Sequence, residues 1–196
     1  MQQRTLVLLK PDSVKRHLIG KIISRFEDTG LKIIGMKMVW ADEKLAEAHY
    51  KFDEEWIKSV YEKTRSVYEK EGKEMPYKEP HELGKIIQRR NMNFITEGPV
   101  IALILKGPHA IELVRKMIGA TEPRSAVSGT IRGDFASVES YPIADADSRV
   151  VRNLVHASDS PENAELEIKL WFKPEEIYEH KTVYDFFTSQ DKKDLI

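Results

Sequence analysis

GPVIALILKGPHA, Gly98 to Ala110, decides the fold. Two Gly-Pro pairs bracket the apolar run Val100 to Leu105, and an apolar run bounded by turn residues reads as a strand. Beyond the second pair, Ala110, Val114, Met117 and Ile118 return at helical spacing, so a helix follows from His109 to Ile118, with Arg115 beside its apolar stripe. Upstream, Thr5 to Leu9 is another buried strand, ending at Lys10-Pro11-Asp12. Leu18, Ile19, Ile22, Ile23 and Phe26 mark a helix that Gly30 stops. Leu31 to Trp40 alternates and reads as a strand with an irregularity at Gly35. Asp42 caps a short helix through Tyr50. Phe52 to Phe94 is highly charged; one helix, a break at Pro76 and Pro80, and a second helix over His81–Arg90 are expected there, as a surface excursion. Downstream, Gly119 to Phe135 reads as a loop and Ala136 to Ser148 as a polar excursion. Arg149 to Val155 reads as the last core strand. Ser160 then caps a helix with Pro161 at its first position and Glu162 complementing its dipole. Four strands with helices between and after them predict an α/β sandwich: an antiparallel sheet with helices covering one face.

Composition narrows the classes of function. The 196 residues carry a net charge of −1, which argues against a dedicated nucleic-acid surface or a membrane-surface role. The absence of cysteine removes disulfides, thiol nucleophiles and cysteine metal sites. The start, MQQRTLVLLKPD, is no signal peptide, and no stretch is long enough to span a bilayer, so a soluble cytoplasmic protein is expected. The tail carries Trp171, Phe172, Tyr184, Phe186 and Phe187, and it is expected to pack back on the domain or on a neighbouring subunit.

The chemistry concentrates in NLVHASDSPENAELE, Asn153 to Glu167. Ala164, Glu167, Ile168 and Trp171 share one helical face, so Glu167 lies on the face to be buried, where a carboxylate needs a partner. His156 is the nearest titratable candidate. Taken singly, each residue has a bland reading: a histidine near a turn, a glutamate at the rim of a stripe. Together with Lys10, Arg115, Thr121, Arg132 and Asn153 they outline a polyphosphate site with a histidine in it. Arginine grips phosphate as a planar fork and lysine as a point charge. A neutral histidine fixed at one nitrogen is nucleophilic at the other. No glycine-rich GxxxxGK[ST] loop and no protein-kinase signature set is present, so side chains would hold the phosphates.

LKPD (Leu9–Asp12), GTIRGDF (Gly129–Phe135), RNLVHASDSPENAELEI (Arg152–Ile168) and LWFKPEE (Leu170–Glu176), in this order, resemble the nucleoside diphosphate kinase family. The resemblance implies one domain over residues 1–196 with a ferredoxin-like βαββαβ core and an antiparallel four-stranded sheet. A helical insertion falls at about 53–93 and a second, polar insertion at about 136–148. It implies ping-pong transfer of the γ-phosphate of a nucleoside triphosphate (ATP) to a nucleoside diphosphate, through a phosphohistidine on His156. Lys10 and Arg132 would neutralise the phosphates, Arg115 and Thr121 would bind the β-phosphate side, and Asn153 would meet the ribose hydroxyl, with Lys10 near the same group. Tyr50 would line the site and Glu167 would hold the far nitrogen of His156. Mg²⁺ would ride on the nucleotide phosphates without a protein cage, and the subunits would assemble as a homo-oligomer, a hexamer or a tetramer.

Four departures from the family pattern stand out. Ala157 replaces the glycine after the histidine, which is tolerable where the backbone needs no positive φ. The loop before GTIRGDF reads SAVSG without the lysine-proline pair that often supports subunit contacts. The long Asp53 to Asn93 stretch replaces a shorter segment bearing the aromatic that stacks on the base; Trp56, Tyr61 and Phe94 are candidates. The segment Ala136 to Ser148 is extra. The excursion is expected to be mostly helical and near the nucleotide mouth, with weak base discrimination, since a π-face accepts any base. Two other readings compete: a catalytically silent protein of the same fold that binds or regulates a partner, and an α/β domain whose polar residues are purely structural.

Overall fold

The computed structural model describes residues 2–70, 72 and 74–188. The elements run β1 (Gln2–Leu9), α1 (Pro11–Lys15), α2 (Ile19–Glu27), β2 (Lys32–Val39), α3 (Glu43–His49), α4 (Glu54–Lys70), α5 (Pro80–Thr96), β3 (Val100–Pro108), α6 (Ala110–Ile118), α7 (Ile131–Phe135), α8 (Tyr141–Ala146), β4 (Val155–Ala157), α9 (Pro161–Trp171) and α10 (Val183–Thr188). The sheet order is β2-β3-β1-β4 and every pairing is antiparallel, the ferredoxin-like arrangement expected.

β1 and β3 lie at the centre, and their side chains divide by parity. Val7 and Leu9, with Ile101, Leu103 and Leu105, face Ile22 and Phe26 of α2 and Val114 and Ile118 of α6. Leu6 and Leu8, with Val100, Ala102 and Ile104, face Ala46 of α3, Ile95 of α5, and Ile168 and Trp171 of α9. Helices therefore cover both faces, correcting the expectation of one. A strand covered on both sides has no polar face, which is why these runs are continuously apolar rather than alternating.

The expected caps form. Asp42 accepts the Leu45 N–H and Ser160 accepts the Asn163 N–H. The irregularity at Gly35 is a register shift in the β2–β3 pairing. A Cβ there would press within 3.1 Å of both Ile104 and Phe172, so glycine lets the tail close over the sheet. Trp171 and Phe172 pack into the second core, and the Tyr178 N–H donates to Ile34 O, tying the tail to β2. The side chains of Phe186 and Phe187 lie outside the described residues.

Other boundaries moved. Gly107 and Pro108 remain in β3. Arg149 to Asn153 is not a strand, and β4 is the three residues Val155–Ala157, with His156 on it. The stretch from Gly119, expected as loop, contains a turn of 3-10 helix at Pro123–Ser125 and then α7; the polar excursion contains α8. Helices of five or six residues span too few turns for apolar periodicity to show. The charged excursion is helical as expected, in α4 and α5.

Candidate active site

β4 pairs with β1 so that His156 stands opposite Leu8, and α9 follows within a few residues. That short connection brings Glu167, at the end of the second turn of α9, back over the strand. Its Oε1 lies 2.9 Å from His156 Nε2, and its Oε2 accepts the Ser158 hydroxyl at 2.5 Å. Burial alone would raise the Glu167 carboxyl; the charge and hydrogen bond of His156, with His49 and Ser158, hold it down at about 2. The ionised carboxylate suits a hydrogen bond accepted from Nε2–H, the tautomer that leaves a lone pair on His156 Nδ1.

His49 packs its ring edgewise on His156, centroids 4.6 Å apart, and accepts Trp171 Nε1–H at Nδ1. Burial, with His156 beside it, drives His49 down to about 3, so it is neutral at ordinary pH. Tyr50 also packs edgewise on His49, centroids 4.7 Å apart, and burial and Glu167 push its phenol up. His49, His156 and Glu167 offer ligand atoms within 4.8 Å of one another. His49 Nδ1 and both Glu167 oxygens already have hydrogen-bond partners, so the three side chains form one interlocked cluster around His156.

The cations stand beside it. Lys10 Nζ donates to Asn153 Oδ1 at 2.5 Å and lies 5.1 Å from the Phe94 ring. Burial pulls Lys10 down to about 8, with Asp12 opposing and Arg132 adding to the fall. Asn153 Nδ2 donates to Thr121 O at 2.8 Å. Arg132 is 4 % exposed and donates to three carbonyls: Nε to Asn153 O, Nη1 to Gly119 O and Nη2 to Val155 O. Burial, with Arg115 nearby, lowers it to about 10. Arg115 is exposed and reaches Ala157 O at 3.5 Å. All eight residues picked from the sequence thus belong to one connected region. Ala157 lies in β4 opposite Val7 and takes no positive φ, so its methyl is accommodated.

Three residues escaped the sequence reading: His49, Ser158 and Asp12. Ser158 lay inside the Asn153–Glu167 stretch, two residues from His156, and Asp12 two residues from Lys10. His49 had no local signal beyond its place beside Tyr50. Phe94 is 4 % exposed, with Lys10 and Arg152 each 5.1 Å from its ring centre, so little of the ring is open to a base. Tyr61 turns its hydroxyl to the carbonyls of Tyr77 and Lys78, and Trp56 stands 6.2 Å from Phe52. At the rim, Arg152 grips Glu97 with two nitrogens, and Lys15 shares the same carboxylate.

A sequence profile described as nucleoside diphosphate kinase matches residues 3–73 and 65–177. A nucleoside diphosphate kinase of Pyrobaculum aerophilum is 48% identical over 181 residues, covering 90% of this chain and 98% of its own. One from Pyrococcus furiosus is 45% identical over 191 residues, covering 97% and 96%. Among solved structures, an NDP kinase from Pyrobaculum aerophilum superposes with TM-score 0.86 at 45% identity, covering 91% of this chain and 100% of that one. A transition-state mimic of the Borrelia burgdorferi nucleoside-diphosphate kinase, with bound vanadate and ADP, superposes with TM-score 0.77 at 34% identity, covering 95% and 96%.

Proposed function

The chain belongs to the nucleoside diphosphate kinase family of phosphotransferases, and from that premise we propose that residues 1–196 form one such domain, with His156 as its phosphate carrier. His156 Nδ1 attacks the γ-phosphorus of a nucleoside triphosphate. The bond from that phosphorus to the β–γ bridging oxygen breaks, the electron pair stays on the departing diphosphate, and Nδ1 carries the phosphoryl group. A β-phosphate oxygen of a second diphosphate then attacks the same phosphorus and Nδ1 leaves with its lone pair. The observation that carries this reading is the Glu167 carboxylate 2.9 Å from His156 Nε2, which anchors the ring by its far nitrogen and stabilises positive charge on it in both half-reactions.

The residues around the nucleophile suit a chemistry that needs positioning and charge neutralisation. Lys10 and the unspent N–H groups of Arg132 face the transferred phosphate, Arg115 and Thr121 the β-phosphate, and Asn153 the ribose hydroxyl; Tyr50 backs the site through His49. The donor set is cationic, and the acid beside Lys10, Asp12, is spent on backbone N–H groups, so the residues present fit Mg²⁺ carried in on phosphate oxygens. When bound there, the ion neutralises charge on the departing diphosphate. A homo-oligomer is supported by β2, a sheet edge that exposes Met36 and Met38, with exposed Trp40 just past its end. No helix among the described residues is long and apolar enough to cross a membrane, which suits a cytoplasmic enzyme.

The test is trapping. Mixed with Mg²⁺ and γ-labelled ATP and freed of nucleotide, the protein should hold an acid-labile, base-stable label that GDP discharges as labelled GTP. Nucleotide binding without label would bring the silent, partner-binding reading to the front.

Two results follow from individual groups. Glu167→Gln keeps an acceptor at nearly the same place but removes its charge; a charge-assisted hydrogen bond on the attacking ring predicts kcat lower by about 10- to 100-fold with KM little changed. A rise in KM alone would place Glu167 outside the chemical step. Lys10, at about 8, loses its charge as pH rises through that value. The kcat/KM for nucleotide should therefore fall above about pH 8 and be flat in that limb for Lys10→Ala, at a lower value throughout. An unchanged alkaline limb in the variant would assign it to another group.

A further inference from the structure

Leu154 has φ 66°, a left-handed backbone that branched side chains avoid. Across it the Val155 N–H donates to Asn153 O at 2.7 Å, closing a three-residue γ-turn of the rare kind. Glycine would adopt this without cost, but the Leu154 side chain is fully buried in the core beside α2 and α6. The chain thus bends sharply at a residue whose side chain it cannot give up. One side of the bend is Asn153, held by Lys10 and Thr121 O; the other is Val155, the first residue of β4, and then His156.

A bend this unfavourable persists only where its surroundings hold it. Asp12, 4 % exposed, accepts the Leu154 N–H at Oδ2, 3.0 Å, and the Ser13 N–H at Oδ1, 3.0 Å. The Leu154 carbonyl accepts the Lys10 N–H at 2.8 Å and the Ser13 hydroxyl at 2.7 Å. Both backbone groups of the strained residue are therefore fixed by Lys10, Asp12 and Ser13, at or directly before the start of α1. With both oxygens turned to main chain, Asp12 points no acceptor at the proposed phosphate site.

We propose that Asp12 is a positioning residue: its carboxylate clamps the γ-turn at Leu154 and thereby sets where His156 and Asn153 meet the nucleotide. The inference rests on His156 as the nucleophile. Misplacing a reacting group by about 1 Å costs on the order of 100-fold, so a loosened turn should show in the rate of phosphoryl transfer to the enzyme.

The experiment measures Asp12→Asn and Ser13→Ala, each kept well below its own melting temperature. Asparagine offers one acceptor where two N–H groups need one, and alanine removes only the hydroxyl on the Leu154 carbonyl. Single-turnover phosphoenzyme formation at saturating ATP should slow by about 10- to 100-fold in Asp12→Asn and by less in Ser13→Ala, with ADP affinity within about threefold of wild type. The Leu154 amide, followed by hydrogen exchange, should exchange at least about tenfold faster in Asp12→Asn. Unchanged exchange would overturn the clamp. Faster exchange with an unchanged rate would leave Asp12 a purely structural residue and overturn the positioning role. If Asp12→Asn fails to fold, a wild-type rate in Ser13→Ala with faster Leu154 exchange does the same. A wild-type enzyme that never takes label would sink the nucleophile assignment instead, and the exchange result would still decide the clamp.

Discussion

Replacing His156 with alanine removes the covalent phosphate altogether and lowers turnover by about 10⁴-fold or more. The size follows from what would be left. On this reading Lys10, Arg115 and Arg132 would still neutralise the phosphates of one bound nucleotide, but a ping-pong site has room for one nucleotide at a time. Direct transfer would need a second diphosphate in the space of the first, so no bypass is open to the variant. Binding should survive, because His156 gives the nucleotide no binding contact in this reading until the phosphorus is attacked. Nor should the fold suffer: the ring is partly exposed, and its loss frees Glu167, which keeps the Ser158 hydroxyl. The measurement is paired: labelling from γ-labelled ATP, and ADP affinity by titration. Label retained in the variant would move the nucleophile elsewhere. Loss of label together with loss of affinity would mean that His156 holds the nucleotide rather than attacking it.

How much of this could be read from residues alone depends on range. Caps and stops act over three or four positions, and Asp42, Ser160 and the bulge at Gly35 were legible for that reason. The continuous runs Thr5–Leu9 and Val100–Leu105 did carry the message that both sheet faces are covered, because a half-exposed strand alternates. Weighing them only as strands gave helices on one face. The last strand was misplaced for a more particular reason. Arg149 to Val155 looks extended, yet pairing with β1 begins only after the turn at Leu154, and nothing in a leucine announces a left-handed backbone. The site was legible where a cluster is local, as with His156 and Glu167 across one strand-to-helix connection. It was illegible where it depends on packing between distant elements. His49 reaches His156 because α3 docks beside α9, a contact between segments more than a hundred residues apart with no spacing to betray it.

Arg132 is the other position where a large effect is expected, and it separates two roles that the sequence could not separate. Read as a residue, it is a phosphate-binding arginine. In the fold its guanidinium reaches the carbonyls of Asn153, Gly119 and Val155, and so ties α7 and the end of α6 to both sides of the turn that leads into His156. An arginine has five N–H donors, so three can anchor and two remain for phosphate. Arg132→Ala takes a donor from three carbonyls in a buried place, of which Asn153 O keeps the Val155 N–H, and empties the space of the side chain. An unsatisfied buried group costs about 1–3 kcal/mol, and some of these carbonyls would recover water through the void. A net loss of about 3 kcal/mol is expected, which for a chain of this size lowers the melting temperature by about 6–12 °C. Activity should fall by at least about 10³-fold, from the missing phosphate contact and the loosened turn together. Arg132→Lys is the decisive companion. Lysine restores the charge but has no planar fork and cannot span three carbonyls at once. If neutralising phosphate were the whole role, lysine should recover most of kcat/KM and the melting temperature would hardly have moved in either variant. If the guanidinium also builds the site, lysine should remain nearly as unstable as alanine and recover little activity. We expect the second pattern, read by thermal unfolding without nucleotide and by kcat/KM on the same samples, because three of the five donors are already spent on the protein before any phosphate arrives.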